Sequence, residues 1–260
     1  MSGRMSSRGS ALDHSNRTVL VTGSAGRIGG FVCAELRSRG YRVRGFDLVP
    51  TEGVDEDQPG DLTDAGSVDR AVAGCDSVVH LAATPDEADF LEKLLPNNIV
   101  GLYHLCQAAR RHEVRRLVLT SSVQVIWSHE EIGKRPIRAD EAPRPCNHYA
   151  LTKLLAEEAG EMYCRLYGMS IIVIRPGYVP RHASAAEQLD ADVFLQRIYL
   201  SPRDAGRAFA LAVEAEGVKF AVIPAQSRGP GFEVMDLAAA REVTGYEPTE
   251  SWPDGRELLE

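Results

Sequence analysis

Five short runs of β-branched and other apolar residues mark the first two-thirds of the chain: Thr18–Thr22, Arg42–Asp47, Ser77–Leu81, Arg116–Ser121 and Ser170–Arg175. In SVVHLAA, RLVLTSS and SIIVIRP the apolar positions are continuous rather than alternating. Strands covered on both faces of a parallel sheet read this way. Between the runs, apolar residues recur at helical spacing over Ile28–Arg39, Ser67–Ala73, Asn97–His112 and Tyr149–Tyr167. Strand and helix in alternation predict an α/β fold, a doubly wound parallel sheet, over residues 17–176. Beyond Arg175 the rhythm breaks at Pro176, Pro180, Pro202, Pro224 and Pro230, with short helices near Arg203–Glu214 and Val234–Thr244. Residues 177–260 are therefore expected to form a small C-terminal cap on the sheet's carboxyl edge.

Composition narrows the class. The 260 residues are 44% hydrophobic and 25% charged, as in a soluble globular protein with a sizeable core. A formal net charge of -8 argues against nucleic acid or an anionic membrane as partner. No apolar run reaches the ~20 residues needed to span a bilayer. Residues 1–16, rich in Ser, Gly and Arg, lack the apolar stretch of a secretory signal and read as a disordered tail. Cys33, Cys75, Cys106, Cys146 and Cys164 are far apart, odd in number and form no CxxC. Free thiols in a reducing cytoplasm, and no bound metal, are the expectation. Cys146 lies near the catalytic candidates but has no positioned base in the sequence, so it is not read as a nucleophile.

The stretch TVLVTGSAGRIGGF carries Gly23, Gly26 and Gly29 as GxxGxxG, directly after a predicted strand and at the start of a predicted helix. Gly23 suits a tight turn, Gly26 leaves room for a pyrophosphate at the helix N-terminus, and Gly29 lets helix and strand pack closely. Asp47 ends the second strand, about 20 residues further on, where a carboxylate accepts hydrogen bonds from an adenosine ribose diol and repels a 2′-phosphate. The pattern favours NAD over NADP, with Arg27 and Arg44 close enough to soften the preference.

Tyr149 and Lys153 are spaced i, i+4 on one helix face. An ammonium beside a phenol favours the phenolate and draws its pKa from ~10 toward working pH, making Tyr149 a usable acid or base. Upstream, the fourth strand ends in Thr120-Ser121-Ser122, at the edge where such sheets bind ligands. Ser122 can donate to a substrate oxygen while Tyr149 moves the proton.

In this order, glycine turn, Asp47, Ser122, Tyr149 and Lys153 resemble the extended short-chain dehydrogenase/reductases, the NAD-dependent epimerase/dehydratase family. The resemblance runs from Thr18 to Asp204 through TGSAGRIG, GDLTD, HLAA, NIVGLYHLCQAAR, TSS, YALTK and IRPG. It implies a Rossmann fold with bound NAD and Ser122, Tyr149 and Lys153 as the catalytic group. It further implies Asp61 and Leu62 flanking the adenine, and Leu81, Ala82 and Ala83 along the pyrophosphate and ribose. Arg27, Ile28 and Pro176 join that cofactor surface, and Asn98 serves as proton relay or polar support near Lys153. His80 falls mid-strand and reads as a buried, satisfied histidine. A homodimer through helices 97–112 and 149–167 is implied too.

Within the family, Ser122-Val123-Gln124 lacks the Asp-Glu pair of dehydratases, the cap is short, and Tyr178 stands where nucleotide-sugar epimerases carry Asn. A small substrate is suggested. LLPNNIVGLYHLCQAARRH and GYEPTESW look similar to the uronate dehydrogenases, which oxidise the anomeric carbon of a hexuronate. Those enzymes usually have Asn-His where this chain has Val123-Gln124. Arg197 reads two ways, as a carboxylate clamp or as a pyrophosphate clamp. Thr84, Gln124 and Arg181 are further substrate candidates. The leading expectation is an NAD-dependent dehydrogenase of a small sugar or sugar acid. A second is a sugar-nucleotide epimerase or ketoreductase with bound NAD(P), and a third is a non-catalytic dinucleotide-binding sensor.

Overall fold

The computed structural model describes His14 and residues 16–259. Of the tail expected over 1–16, residues 1–13 and 15 lie outside the described residues; the His14 ring stacks on Tyr41 with centroids 4.3 Å apart. Seven parallel strands form one sheet: β1 Thr18–Thr22, β2 Arg42–Phe46, β3 Glu56–Asp57, β4 Ser77–His80, β5 Arg116–Thr120, β6 Ile171–Pro176 and β7 Phe220–Ala225. Their order is β3-β2-β1-β4-β5-β6-β7. The winding direction reverses between β1 and β4, which opens a crevice at the carboxyl ends of those strands.

The continuous apolar runs are explained by cover on both faces. Val19 and Val21 of β1 point to a layer made by α1 (Arg27–Ser38) and α7 (Pro202–Glu214), where they meet Val32, Leu36, Phe209 and Val213. Leu20, between them, joins Val68 of α2 (Ala65–Val72), Leu105 of α3 (Gly101–Arg111) and Ala156 and Tyr163 of α4 (His148–Tyr167). Each such side chain contributes roughly 1.5–3 kcal/mol by leaving water, against about 0–1 kcal/mol for an exposed ion pair. The two apolar layers therefore dominate the body's stability.

Two strands exceed the sequence expectation. β3 is two residues long. β7 contains Pro224, which on an edge strand leaves no ladder hydrogen bond unmade. The boundary expected at 176 does not divide the molecule in space, because α7 and β7 return to the sheet. What stands over the carboxyl edge is 177–201 with 226–237. This includes α5 (Ala183–Ala191) and α6 (Val193–Arg197), and a small core joins Ile198, Val234 and Met235 to Val125, Ile126 and Ile137, whereas α8 (Ala238–Thr244) packs back on the sheet body, with Ala240 in the layer of α1 and α7. The helix expected over 97–112 begins earlier, as a wider π-type segment at Phe90–Val100 that runs into α3. Among the described residues, no helix is long and apolar enough to cross a membrane.

Candidate active site

One cavity of about 820 Å³ opens over the carboxyl ends of the strands. Its first wall is the turn from β1 into α1. Gly23 has φ +70°, and a Cβ there would lie 2.7 Å from the Ala82 nitrogen; one on Gly29 would lie 2.1 Å from the Gly23 oxygen. Gly26 caps α1 without a side-chain acceptor, so the helix's first N–H groups have no side-chain partner at the cavity wall. Beside them, Nε and Nη2 of Arg27 are buried with no hydrogen-bond partner among the described residues. A helix N-terminus and an orphaned guanidinium together suit a diphosphate. The residues present therefore fit a dinucleotide.

Asp47 follows β2 and is locked in place: Oδ1 accepts from the Leu48 N–H at 2.7 Å and Oδ2 from the Ala25 N–H at 3.1 Å. Arg44 turns away from it. Its Nε reaches Glu56 at 2.6 Å, and Nη1 donates to the carbonyls of Ala71 and Ala73. Arg44 is thus spent elsewhere and does not soften the preference against a 2′-phosphate. Asp61, Leu62, Leu81, Ala82 and Ala83 continue the wall from Asp47 toward the centre, and Pro176 closes it.

At the centre, the turn after β5 and the start of α4 bring the three catalytic candidates together. Ser122 follows β5 and caps a short 3-10 turn, its Oγ accepting from the Gln124 N–H at 3.1 Å. Tyr149 sits in the first turn of α4, which is capped by Asn147; Glu87 accepts the Tyr149 N–H at 3.0 Å. Lys153 lies one turn on, with Nζ 5.6 Å from the Tyr149 ring centre and donating to the Thr120 carbonyl at 3.1 Å. All three side chains are buried and line the cavity.

Burial sets the protonation of this group. It pushes the Tyr149 phenol up to about 12; the Asp86 carboxylate adds to the rise, while Ser122 and Arg181 oppose it. Burial also pushes the Lys153 ammonium down to about 8. Desolvation thus moves the phenol opposite to the direction expected from an ammonium neighbour. His80 is buried against Thr22, 2.8 Å from its Oγ1, and burial pushes it down to about 3.

Three expected positions do not line the cavity. Arg197 is the clearest correction: its Nε donates to the Pro230 carbonyl at 3.0 Å and its guanidinium lies over Phe232, 4.5 Å from the ring centre. Thr84 donates its N–H to Asn98 Oδ1 at 2.7 Å and accepts from Asn97 at its hydroxyl. Asn98 is buried; its Nδ2 donates to the Thr84 carbonyl and to Thr152 Oγ1, each at 3.0 Å. It joins the loop after β4 to α4 through Thr152 and does not line the cavity. Gln124 does line the cavity, although its Oε1 is taken by Asn147 at 2.9 Å.

Beside the expected Arg181 and Tyr178, the cavity holds Asp86 and Trp127, which the sequence left unread. Trp127 and Tyr178 supply aromatic lining, and Asp86 pairs with Arg181 at 2.9 Å. Cys146 is exposed at the rim, and burial with the nearby Glu87 charge raises its pKa, which suits a resting thiol. Behind the site, Glu157 and Arg175 form a buried two-point pair at 2.8 Å, and Ser121 donates to the same carboxylate at 2.5 Å. A signal was available for that pair: Glu157 continues the i, i+4 face of Tyr149 and Lys153.

Comparison with known proteins agrees with this geometry. Uronate dehydrogenase from Pseudomonas syringae pv. tomato is 34% identical over 163 residues, which are 61% of this chain and 58% of that protein. NAD-dependent glucose-6-phosphate dehydrogenase from Haloferax volcanii is 28% identical over 254 residues, 91% of this chain and 94% of the relative. A variant of uronate dehydrogenase from Agrobacterium tumefaciens, solved in complex with NAD, superposes with a TM-score of 0.77 at 26% identity, covering 94% of this chain and 88% of that one. The sequence profile of the NAD dependent epimerase/dehydratase family matches residues 19–185, from β1 into α5, and the chain belongs to that family.

Proposed function

We propose that this protein is an NAD-dependent oxidoreductase that transfers hydride between NAD and a small sugar or sugar acid. The observation that carries the reading is the burial of Tyr149, Lys153 and Ser122 in one cavity with the glycine turn and Asp47. Bound NAD supplies the hydride acceptor and, in its oxidised form, a positively charged ring. The chain supplies position and proton handling. The first turn of α1 and Arg27 bind the diphosphate, and Asp47 holds the adenosine ribose. Ser122 Oγ orients the substrate hydroxyl, and Tyr149 takes its proton. Lys153, pinned at Thr120, would stabilise the phenolate and hold a ribose hydroxyl of the cofactor.

A cavity of about 820 Å³ that holds both dinucleotide and substrate supports a compact sugar over a nucleotide sugar. The relatives' names point the same way, each pairing NAD or dehydrogenation with a sugar derivative. The apolar stripe of α4, with Leu151, Leu155, Met162 and Leu166 exposed, and Tyr103 exposed on α3, support a homodimer through these helices. Free cysteines suit a reducing cytoplasm.

The test is a screen of aldoses, hexuronates and sugar nucleotides with NAD, following NADH absorbance. Steady NADH formation with a free sugar is expected. NAD that stays bound through purification, with no net NADH from any sugar, would favour an epimerase instead.

A further inference from the structure

The substrate end of the cavity carries an acid and a base already joined. Asp86, on the loop after β4, presents Oδ2 to Arg181 Nη1 at 2.9 Å and Oδ1 to Gln124 Nε2 at a longer 3.4 Å. Arg181 comes from the loop after β6, and Gln124 from the turn after β5. Three loops thus meet over Tyr149. Among the described lining residues beyond the glycine turn, Lys153, Arg181 and His182 are the basic ones. Lys153 is committed to Thr120 and Tyr149, and the His182 imidazole is a weaker anion partner than a planar guanidinium. Arg181 is the group an anionic substrate would seek.

We propose that Asp86 is a specificity determinant: its carboxylate occupies Arg181 and turns the cavity toward an uncharged sugar. This rests on the reading of the site as a sugar oxidoreductase.

Asp86 is built to stay where it is. Its backbone has φ 60°, in the left-handed region that non-glycine residues rarely adopt and that concentrates at functional sites. Its loop is fastened on both sides. Thr84 is tied to Asn98 before it, and after it Glu87 accepts from the Tyr149 N–H and bonds His148 at 2.8 Å. An exposed pair holds weakly in itself. The carboxylate nevertheless remains beside any anion that reaches the guanidinium, and like charges at that range repel. Sugar hydroxyls meet no such penalty. Each donates to Asp86 and accepts from Arg181, and the sugar's C–H face packs on Trp127 and Tyr178. A hexuronate or sugar phosphate places two anions on one arginine.

The experiment measures binding by calorimetry to NAD-loaded protein in the Tyr149→Phe background, which blocks turnover. The probes are charge-differing pairs: D-glucose with D-glucuronate, and D-galactose with D-galacturonate. Tighter binding of the aldose is expected. Adding Asp86→Asn, whose side chain tolerates the left-handed backbone, should improve hexuronate affinity relative to aldose by about tenfold. Adding Arg181→Gln to that protein should abolish the gain. Tighter binding of the hexuronate by the parent, or an affinity ratio unchanged by Asp86→Asn, would overturn the proposal and leave the oxidoreductase reading standing. Binding of none of the four probes would overturn both.

Discussion

Tyr149 is held at a disadvantage that bound ligands must offset. A phenol pushed up to about 12 by burial and by Asp86 is a poor base until a positive charge or a hydrogen bond favours its ionised form. Oxidation requires the deprotonated phenol, so its rate should climb with pH through the alkaline range. The neighbours give the sign of two displacements. Ser122 lowers the phenol's pKa, so Ser122→Ala should move the rising limb of kcat/KM to higher pH. Asp86 raises it, so Asp86→Asn should move the limb to lower pH. Profiles of both variants check this, and displacement in the same direction by both would contradict it. These residues differ in how plainly the sequence showed them. Ser122, Tyr149 and Lys153 are placed by local geometry, a strand end and one helical turn. Asp86 and Arg181 meet across 95 positions, and no spacing rule announces such a pair. Arg197 was misread for the same reason, because the carbonyl of Pro230 and the ring of Phe232 claim it from 33 and 35 residues away.

Helix α4 is the element on which the chemistry hangs, and it is fixed at both ends of its active face. Glu87 and Asn147 hold its first turn; Glu157 holds it two turns later through Arg175 and Ser121. The Arg175 and Glu157 side chains are 5% and 6% exposed. Glu157→Gln leaves a buried guanidinium without its counter-charge, a loss of about 3–5 kcal/mol. Thermal or urea unfolding should show it directly, and the double replacement Glu157→Leu with Arg175→Met should recover most of it. An unchanged midpoint in the single variant would mean that the pair is not desolvated. The helix itself was legible, because its apolar period lies within one stretch of chain. The last strand was hidden by Pro224, which reads as a breaker until the strand is known to be an edge. The π-type start of the segment before α3 depends on Pro96 and on asparagines gripping a distant loop, and periodicity at 3.6 does not report that.

For the molecule as a whole, alternation of strand and helix was enough to give a parallel doubly wound sheet, since continuous apolar runs need cover on both faces. The partition into body and cap was not legible, because the chain leaves the sheet at Pro176 and returns to it at Phe220. If α3 and α4 pair two copies, Leu155→Glu should convert a dimer to monomers in sedimentation without unfolding them, since Leu155 is 42% exposed. A monomeric parent protein would dismiss the dimer. The most direct measurement on the whole is the rate of NADH formation from the best sugar in the screen, for the parent and for Tyr149→Phe, with NAD affinity taken from fluorescence titration. A fall of about 10²–10⁴ in kcat, with NAD bound as before, is expected when the proton acceptor is removed. Equal rates in the two proteins would contradict the role of the phenol and the function built on it.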